Sequence, residues 1–163
     1  MKKVKTNAMR LLERENIPYE FHTYTIKDQI TATDLALDLQ REPHLIFKTL
    51  VTHSPEGEHF VFCLPLEEEL NLKKAAKSAS VKSLSLIYQN DLLPLTGYER
   101  GGVSPLAMKK SFPTWIDEKA LTLDTIIVSA GKKGFQLELS PLHLQKAIQG
   151  NFSDLLMETR SIF

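Results

Sequence analysis

Two runs of strand-forming residues joined by a short turn sequence constrain the fold of this chain more than any other feature. LIFKTLVTH (45–53) and HFVFCLPL (59–66) are rich in branched and aromatic residues, and the polar segment SPEGE separates them. Strands joined by so short a connection pair antiparallel, so this region predicts a β-hairpin. TIIVSAG (125–131) and FQLEL (135–139), joined by KKG, predict a second hairpin. The fold is therefore expected to be built around β-sheet.

The rest of the chain alternates between helical patterns and one further strand. EFHTYTI (20–26) is rich in β-forming residues and predicts a strand. Apolar residues at helical spacing, with start and stop signals, predict four helices. They are a helix that includes Val4 and ends at NIP (16–18), a helix N-capped by Thr31 that ends before Pro43, a short helix over 71–80, and a helix with Ser140 as N-cap and Pro141 at its first position, closed by Gly150.

Length and composition limit the class of protein. The chain has 163 residues, and we expect one domain over residues 1–163. The mixed patterns predict an α+β fold, with a curved, barrel-like mixed β-sheet and helices packed on its outside. The net charge is zero, so no global field draws in nucleic acid, and neither DNA nor a membrane is an expected partner. No apolar run approaches the roughly 20 residues of a membrane span, and no secretory segment is evident, which predicts a cytoplasmic protein.

The sequence lacks the common motifs of metal, phosphate and nucleophile chemistry. Five histidines are scattered without metal-ligand spacing, and the single cysteine, Cys63, lies in an apolar strand pattern where a buried side chain is expected. AGKKG lacks the spacing of a phosphate loop, and no G-x-S-x-G motif is present. We therefore expect no metal and no cofactor. Any catalysis must come from positioned main-chain groups and a few polar side chains.

One lysine and one glycine-rich segment are the candidates for such a site. Lys48 interrupts the apolar strand pattern IFKTLV, where its side chain faces either water or a cavity. TGYERGGVSPLAMKKSFPT (96–114) contains three of the chain's seven glycines, which permit tight turns or the close approach of a ligand to main-chain N–H groups. Ser129 adds a hydroxyl beside the second glycine-bearing turn, VSAGKKG. Together these features predict a pocket for a small polar group.

Several motifs occur together in one order: KTNAMRLLE, FHTY, IFKTLV, LKKAAK, TGYERGGVSPLAMKK, PTWID and VSAGKKG. In this order they resemble the YbaK/EbsC family of aminoacyl-tRNA deacylases, and the similarity runs from about residue 5 to residue 152. The YbaK branch is similar to the editing domain inserted in bacterial prolyl-tRNA synthetases. The resemblance implies hydrolysis of the ester in Cys-tRNA(Pro), with Cys-tRNA(Cys) as a further substrate. Such editing is needed because a site that accepts proline cannot strongly reject another small side chain.

The family's site residues fall on seven positions of this chain. The resemblance implies that Lys48 and Gly101 are catalytic, with Lys48 contacting the terminal adenosine or the reacting ester. It also implies that the substrate's own thiol attacks the ester, closes a thiolactone and releases the tRNA, which agrees with the missing nucleophile. The implied substrate-binding residues are Tyr24, Thr49, Gly102, Ser129 and Gln136.

Two positions depart from the family pattern. Gln136 stands where many YbaK members have aspartate, and an amide binds an ammonium group more weakly than a carboxylate does. Ala130 replaces a glycine, and its methyl group is expected to narrow the pocket. Two other hypotheses therefore stay open. One is hydrolysis of another mischarged tRNA, such as Ala-tRNA(Pro), by water, and the other is a non-catalytic module that binds the tRNA end or a synthetase.

The expected partners follow from the same resemblance and from the charge. They are the 3′ end of an aminoacyl-tRNA and prolyl-tRNA synthetase, the latter in a transient ternary complex because a neutral domain should bind tRNA weakly on its own. Lysines within 73–77 and at 109–110 are the predicted contacts to tRNA.

Overall fold

The computed structural model describes residues 5–158, so Val4 and the two ends of the predicted domain lie outside the described residues. The helices are α1 (Asn7–Arg14), α2 (Ala32–Leu39), α3 (Leu72–Ala79), α4 (Gln89–Thr96) and α5 (Pro141–Ile148). The strands are β1 (Glu20–Thr23), β2 (Phe47–His53), β3 (His59–Pro65), β4 (Ser85–Leu86), β5 (Thr114–Asp117), β6 (Ile126–Ser129), β7 (Phe135–Leu139) and β8 (Asn151–Ser153). Short 3₁₀ helices cover Pro43–Leu45 and Glu118–Thr122.

The described strands form two sheets. A five-stranded sheet has the order β4-β2-β3-β5-β8, in which β2 pairs antiparallel with β3 and β4, whereas β5 pairs parallel with β3 and β8. A three-stranded antiparallel sheet has the order β1-β7-β6. An isolated parallel bridge between Ile46 and Ile127 joins the two sheets. The strands β2 and β6 therefore meet at this bridge and form the joint of the molecule.

Three groups of apolar side chains hold these layers together. The largest lies between the two sheets and is closed by α1 and α5, with Phe47, Cys63 and Leu137 among its buried members. A second group covers the other face of the five-stranded sheet beneath α3. The third packs α2 against Ile46 and Ile127, so α2 covers the joint between the sheets.

The α+β class with a mixed sheet, predicted from the sequence, is confirmed. Both predicted hairpins are present as β2–β3 and β6–β7. The described strands make two sheets joined at one bridge instead of a single curved sheet. The predicted strand over 20–26 ends at Thr23 because its partner β7 begins at Phe135, and only the Tyr24 N–H continues the pairing, donating to the Gly134 carbonyl at 2.9 Å.

The four predicted helices are present, and their ends follow local hydrogen bonds. Thr31 caps α2 and forms a capping box with Asp34, as the sequence indicates. At the end of α5 the left-handed residue is Gln149, with φ 51°, and not Gly150. The N–H of Gly150 donates to the Gln145 carbonyl at 3.0 Å, so Gly150 still completes the helix end.

Candidate active site

A cavity of about 600 Å³ lies at the joint between the two sheets. The end of β1, strands β2, β6 and β7, helix α4 and the glycine-rich segment contribute to its wall. Much of the lining is apolar and includes Leu35, Leu66 and Val103. The polar side chains that line it are Tyr24, Lys48, Thr49, Gln89, Arg100, Ser129 and Gln136.

The structure brings six of the seven predicted site residues to this one cavity. Parts of the chain that are far apart in sequence contribute them, because the joint places β2 beside the β6–β7 hairpin. The six are Tyr24, Lys48, Thr49, Gly101, Ser129 and Gln136. Their roles stay predictions, but their convergence gives them a common place to act.

Gly102 does not line the cavity in the described part of the chain. A Cβ added there would lie 3.1 Å from the main-chain nitrogen of Lys133, so this glycine lets two loops pack closely. The structure gives Gly102 a packing position, and its contact with substrate stays a prediction. Ala130 is fully buried in the core between the sheets, so its methyl group does not narrow the cavity as expected from the sequence.

Lys48 supplies a cation to the cavity wall. Alternation along β2 places its neighbour Phe47 in the core between the sheets, whereas Lys48 is half-buried. Burial lowers the pKa of Lys48, and the nearby carboxylates of Glu69 and Glu68 act in the opposite direction. Within residues 5–158 the Lys48 ammonium group forms no ion pair. It is therefore available to a negatively charged or carbonyl oxygen.

Thr49 presents its main chain to the cavity. Two residues further along β2, the Val51 carbonyl accepts a hydrogen bond from the Ile87 N–H at 3.1 Å, on the side of β2 away from β3. Residues two apart on an antiparallel strand turn their main-chain groups to the same side, so Thr49 also turns away from β3. There β4 pairs only with the last two residues of β2. The N–H and C=O of Thr49 therefore lie on an unpaired stretch of strand edge that borders the cavity.

Ser129 and Gln136 face each other across β6 and β7. The Ser129 Oγ accepts a hydrogen bond from the Gly131 N–H at 3.1 Å, which leaves its hydroxyl proton free to donate to a ligand. Gln136 as a whole is only 6% exposed, and its carboxamide makes no hydrogen bond to another residue within 5–158. No buried side-chain nitrogen or oxygen in that part of the chain lacks a partner, so the polar atoms of this carboxamide are open to the cavity, where they can contact a bound polar group.

Tyr98 braces the glycine-rich segment against the turn between β6 and β7. Its hydroxyl lies within hydrogen-bond distance of the carbonyls of Leu106 and Ala107, and burial raises its pKa to about 12, so it stays a neutral donor. A Cβ at Gly131, which has φ +98°, would lie 2.8 Å from the Tyr98 ring. Glycine at this position therefore lets the ring reach the turn, and the turn between β6 and β7 packs behind the glycine-rich segment, which lines the cavity with Arg100, Gly101 and Val103.

The sequence analysis did not single out Arg100 or Gln89 as site residues. Both line the cavity, and Arg100 Nη1 donates to Gln89 Oε1 at 3.0 Å, which ties the glycine-rich segment to the start of α4. The signal was present in the motif TGYERGG, where an arginine stands immediately before the glycine pair. Gln89 carried no comparable signal because α4 itself was not predicted.

A second polar cluster lies on the same face of the three-stranded sheet, away from the cavity lining. Glu138 accepts hydrogen bonds from Arg41 Nε at 3.0 Å and Thr125 Oγ1 at 2.6 Å, and His22 Nε2 lies 2.8 Å from its Oε1. Arg41 also donates to Glu20 at 3.1 Å. The ligand atoms of Glu20, His22 and Glu138 are close enough to hold a metal ion, but a guanidinium group already pairs with both carboxylates. We interpret this cluster as an ion-pair network.

Comparison with known proteins assigns this architecture to a class. The model of the aminoacyl-tRNA editing domain matches residues 27–147, and the chain belongs to this family. The family resemblance inferred from the motifs is thereby confirmed. Within residues 5–158, none of the helices reaches the length and apolar character that crossing a membrane requires.

Individual relatives refine the comparison. A protein of Enterococcus faecalis (strain ATCC 700802 / V583), provisionally named Cys-tRNA(Pro)/Cys-tRNA(Cys) deacylase EbsC, is 41% identical over 152 residues, which are 93% of each chain. A crystal structure described as a provisional trans-editing enzyme for prolyl tRNA synthetase matches with a TM-score of 0.81 at 22% identity, covering 96% of this chain and 100% of that one. The hypothetical protein APE2540 matches with a TM-score of 0.84 at 23% identity, covering 93% and 100%. The two structures show the shared fold.

Proposed function

We propose that this protein is a trans-editing deacylase that cleaves the ester of mischarged Cys-tRNA(Pro), with Cys-tRNA(Cys) as a further substrate. Membership of the aminoacyl-tRNA editing family and the 41% identical relative named as such a deacylase support this proposal. The observation that carries it is the cavity at the sheet joint, which is lined by Lys48, a lysine without an ion pair within residues 5–158, together with hydroxyl, amide and main-chain groups. This arrangement suits the binding and polarisation of a small ester.

The cavity offers no obvious side-chain nucleophile. None of the described residues that line it is cysteine, histidine, aspartate or glutamate. Cys63 is fully buried, and burial raises the pKa of its thiol to about 12, so it does not supply a thiolate. The lining residues Ser129 and Thr49 carry hydroxyl groups, but the described lining includes no imidazole or carboxylate that could take their proton, so we favour a nucleophile from the substrate or from water.

In the mechanism we favour, the nucleophile is the thiol of the cysteinyl group. The sulfur attacks the ester carbonyl carbon, a sulfur–carbon bond forms, and the bond from that carbon to the tRNA 3′ oxygen breaks. The thiol proton passes to the departing 3′ oxygen, and water then opens the released thiolactone to free cysteine. Lys48 and the N–H of Thr49 would stabilise the negative charge that develops on the carbonyl oxygen, and the Ser129 hydroxyl would hold the substrate.

Two neighbouring proposals concern the cellular setting. We place the protein in the cytoplasm, where it would meet mischarged tRNA. We also infer a transient complex with prolyl-tRNA synthetase, which the structural match described as an editing enzyme for that synthetase supports. The zero net charge favours such help, because a neutral domain gains little affinity for tRNA from long-range attraction.

The test is the rate of ester loss from Cys-tRNA(Pro), Ala-tRNA(Pro) and Ser-tRNA(Pro), with wild-type protein beside Lys48→Ala. We expect cysteine loss alone, and a fall of roughly 100- to 1,000-fold in the Lys48→Ala variant, the usual cost of removing a group that stabilises an oxyanion. Lys146→Ala, an exposed lysine on α5 outside the cavity lining and outside the predicted tRNA contacts, is the matched control and should keep the wild-type rate.

The other outcomes separate the alternatives. Loss of alanine or serine would show attack by water and exclude the thiolactone route as the general mechanism. No ester loss from any substrate, even with prolyl-tRNA synthetase added, would favour a module that binds the tRNA end without cleaving it.

A further inference from the structure

The charges around the cavity are unevenly distributed. Within residues 5–158 the cavity lining includes two cations, Lys48 and Arg100, and no aspartate or glutamate. The acidic run Glu67–Glu69 follows the lining residue Leu66, and its members Glu68 and Glu69 lie close enough to Lys48 to act on its pKa. One side of the cavity therefore attracts anions, and the side next to Leu66 repels them.

A further cation, Lys133, lies against the glycine-rich segment. The Lys133 side chain covers Gly101 so closely that a Cβ there would lie 2.8 Å from Lys133 Cε. Gly101 lines the cavity, and Lys133 itself is exposed, so its ammonium group reaches solvent beside the cavity. Arg100 precedes Gly101 in the chain and is held by its hydrogen bond to Gln89. Arg100 and Lys133 therefore form a positive strip along the glycine-rich segment.

An exposed aromatic ring adjoins this strip. Tyr88 is 77% exposed and immediately precedes Gln89, the hydrogen-bond partner of Arg100. Its neighbours Ile87 and Gln89 both line the cavity. An exposed ring one residue from the hydrogen-bond partner of Arg100 offers a face on which a nucleic-acid base can stack.

We propose that Arg100, Lys133 and Tyr88 form a binding surface for the last single-stranded nucleotides of an RNA 3′ end. Arg100 and Lys133 bind phosphodiester oxygens, and Tyr88 stacks on a base. The acidic run Glu67–Glu69 directs the polyanion away from the opposite side of the cavity. The proposal rests on the proposed function, because it takes the acylated terminal nucleotide to lie inside the cavity.

This surface differs from the tRNA contacts expected from the sequence. None of the lysines at 73–77 and 109–110 lines the cavity, and Lys74 is held by Asp154 at 2.8 Å and by the Leu156 carbonyl at 2.9 Å. Lys146 on α5 is exposed and lies outside both sets of residues, and it therefore serves as the matched control.

The test measures the affinity of a fluorescein-labelled single-stranded RNA of about five nucleotides that ends in CCA with a free 3′ hydroxyl. Fluorescence anisotropy is recorded from about 50 to 200 mM salt, where each lost phosphate contact reduces the slope of log affinity against log salt by roughly 0.7. Arg100→Gln and Lys133→Gln should each show this reduction and bind roughly tenfold more weakly at low salt. Tyr88→Ala should bind about tenfold more weakly with an unchanged slope.

Two variants protect the test from misfolding and general charge effects. Arg100→Lys keeps the charge and should keep the salt slope, and Lys146→Gln should keep both affinity and slope. The proposal is overturned if Arg100→Gln and Lys133→Gln leave the slope unchanged, or if Lys146→Gln reduces it equally.

Deacylation assays on the same variants separate this proposal from the proposed function. Arg100→Gln should raise KM for the mischarged tRNA more than it lowers kcat. If the wild-type protein binds the RNA with the expected slopes and cleaves no ester, the proposed function fails and the binding surface stands. If it cleaves the ester and Arg100→Gln leaves KM unchanged, the binding surface fails and the proposed function stands.

Discussion

Two polar residues on the same face of the three-stranded sheet differ in their hydrogen bonding: Gln136 lines the cavity, and Glu138 belongs to the ion-pair network beside it. Gln136 and Glu138 lie two residues apart on β7 and so point to the same face. Glu138 is hydrogen-bonded to Arg41, Thr125 and His22, whereas the Gln136 carboxamide has no such partner within residues 5–158. Both residues are buried as a whole, so the difference between them is that the polar atoms of Glu138 are paired within the protein, whereas those of Gln136 are open to the cavity.

The ion-pair network around Glu138 contributes to stability, whereas the polar groups of the cavity remain available for ligand binding. A buried carboxylate with three partners contributes to the free energy of folding, because its desolvation is compensated. The cavity leaves Lys48, Ser129 and Gln136 able to bond to something else. Substitutions in the network around Glu138 should therefore change mainly the free energy of unfolding. Substitutions of the cavity residues should change mainly substrate binding and catalysis.

The largest effect on stability is expected for Glu138→Gln. Burial alone would raise the pKa of Glu138, but the hydrogen bonds from Thr125, His22 and Arg41 outweigh it and lower the pKa. Loss of the charge should reduce the free energy of unfolding by roughly 2 kcal/mol at pH 7, measured by urea denaturation. Because the folded-state pKa is lowered, the contribution is present above the ordinary glutamate pKa of 4.5 and is lost as the pH falls through the folded-state value.

A matched control is Glu20→Gln, which removes the other carboxylate bound to Arg41. The Glu20 side chain is 65% exposed, compared with 9% for Glu138, so its removal should cost less than about 0.5 kcal/mol. Equal costs for the two variants would contradict the assignment of stability to the buried carboxylate.

A smaller effect is expected when the unpaired amide receives a charge. Gln136→Glu keeps the length of the side chain and offers a carboxylate to the ammonium group of an aminoacyl ester. The gain of about 1 kcal/mol for a hydrogen bond to a charged group should lower KM about fivefold at pH 6 to 7. The gain should disappear above about pH 8, where α-amino groups lose their proton. Gln136→Met, which can offer neither group, should raise KM instead.

The smallest effect on stability, and of opposite sign, is expected for Lys48→Met. Burial lowers the pKa of Lys48, so the folded state disfavours its charge and methionine removes that cost. We expect the free energy of unfolding to rise by about 0.5 kcal/mol at pH 7 while deacylation is lost. The cost is present while the lysine is protonated in both states, so the difference should shrink as the pH rises toward the unfolded-state value of 10.5. A lower free energy of unfolding for Lys48→Met at pH 7 would contradict the contrast between the cavity residues and the network around Glu138.

The parts of the fold that depend on neighbouring residues were readable from the sequence. Both hairpins and four helices carry local signals, such as the capping residue Thr31 and the proline at the start of α5, whereas Ser140 occupies the N-cap position of α5 without a side-chain capping hydrogen bond. The strands β4, β5 and β8 were not predicted because each has two to four residues, and β5 pairs in parallel with partners far away in sequence. Helix α4 was missed because Pro94 lies inside it, which ordinarily indicates a break.

Most of the candidate site residues were predicted from family motifs and not from the strand and turn patterns of the sequence. Lys48 stood out as a lysine in an apolar strand, but its neighbours in the cavity came from the family resemblance. The prediction that the Ala130 methyl group narrows the cavity was wrong, because alternation along the chain turns this methyl group into the core between the sheets. Arg100 escaped notice because no local rule tells whether an exposed arginine beside two glycines faces a cavity.

The short strand β4 has a consequence beyond opening the cavity beside Thr49. The five-stranded sheet ends in β4 on one side and β8 on the other, which have two and three residues. Long, flat outer strands act as templates on which further chains add by main-chain hydrogen bonding. Outer strands this short offer few free peptide groups, so the sheet that carries Lys48 is poorly suited to joining another sheet edge to edge and should resist aggregation at high protein concentration.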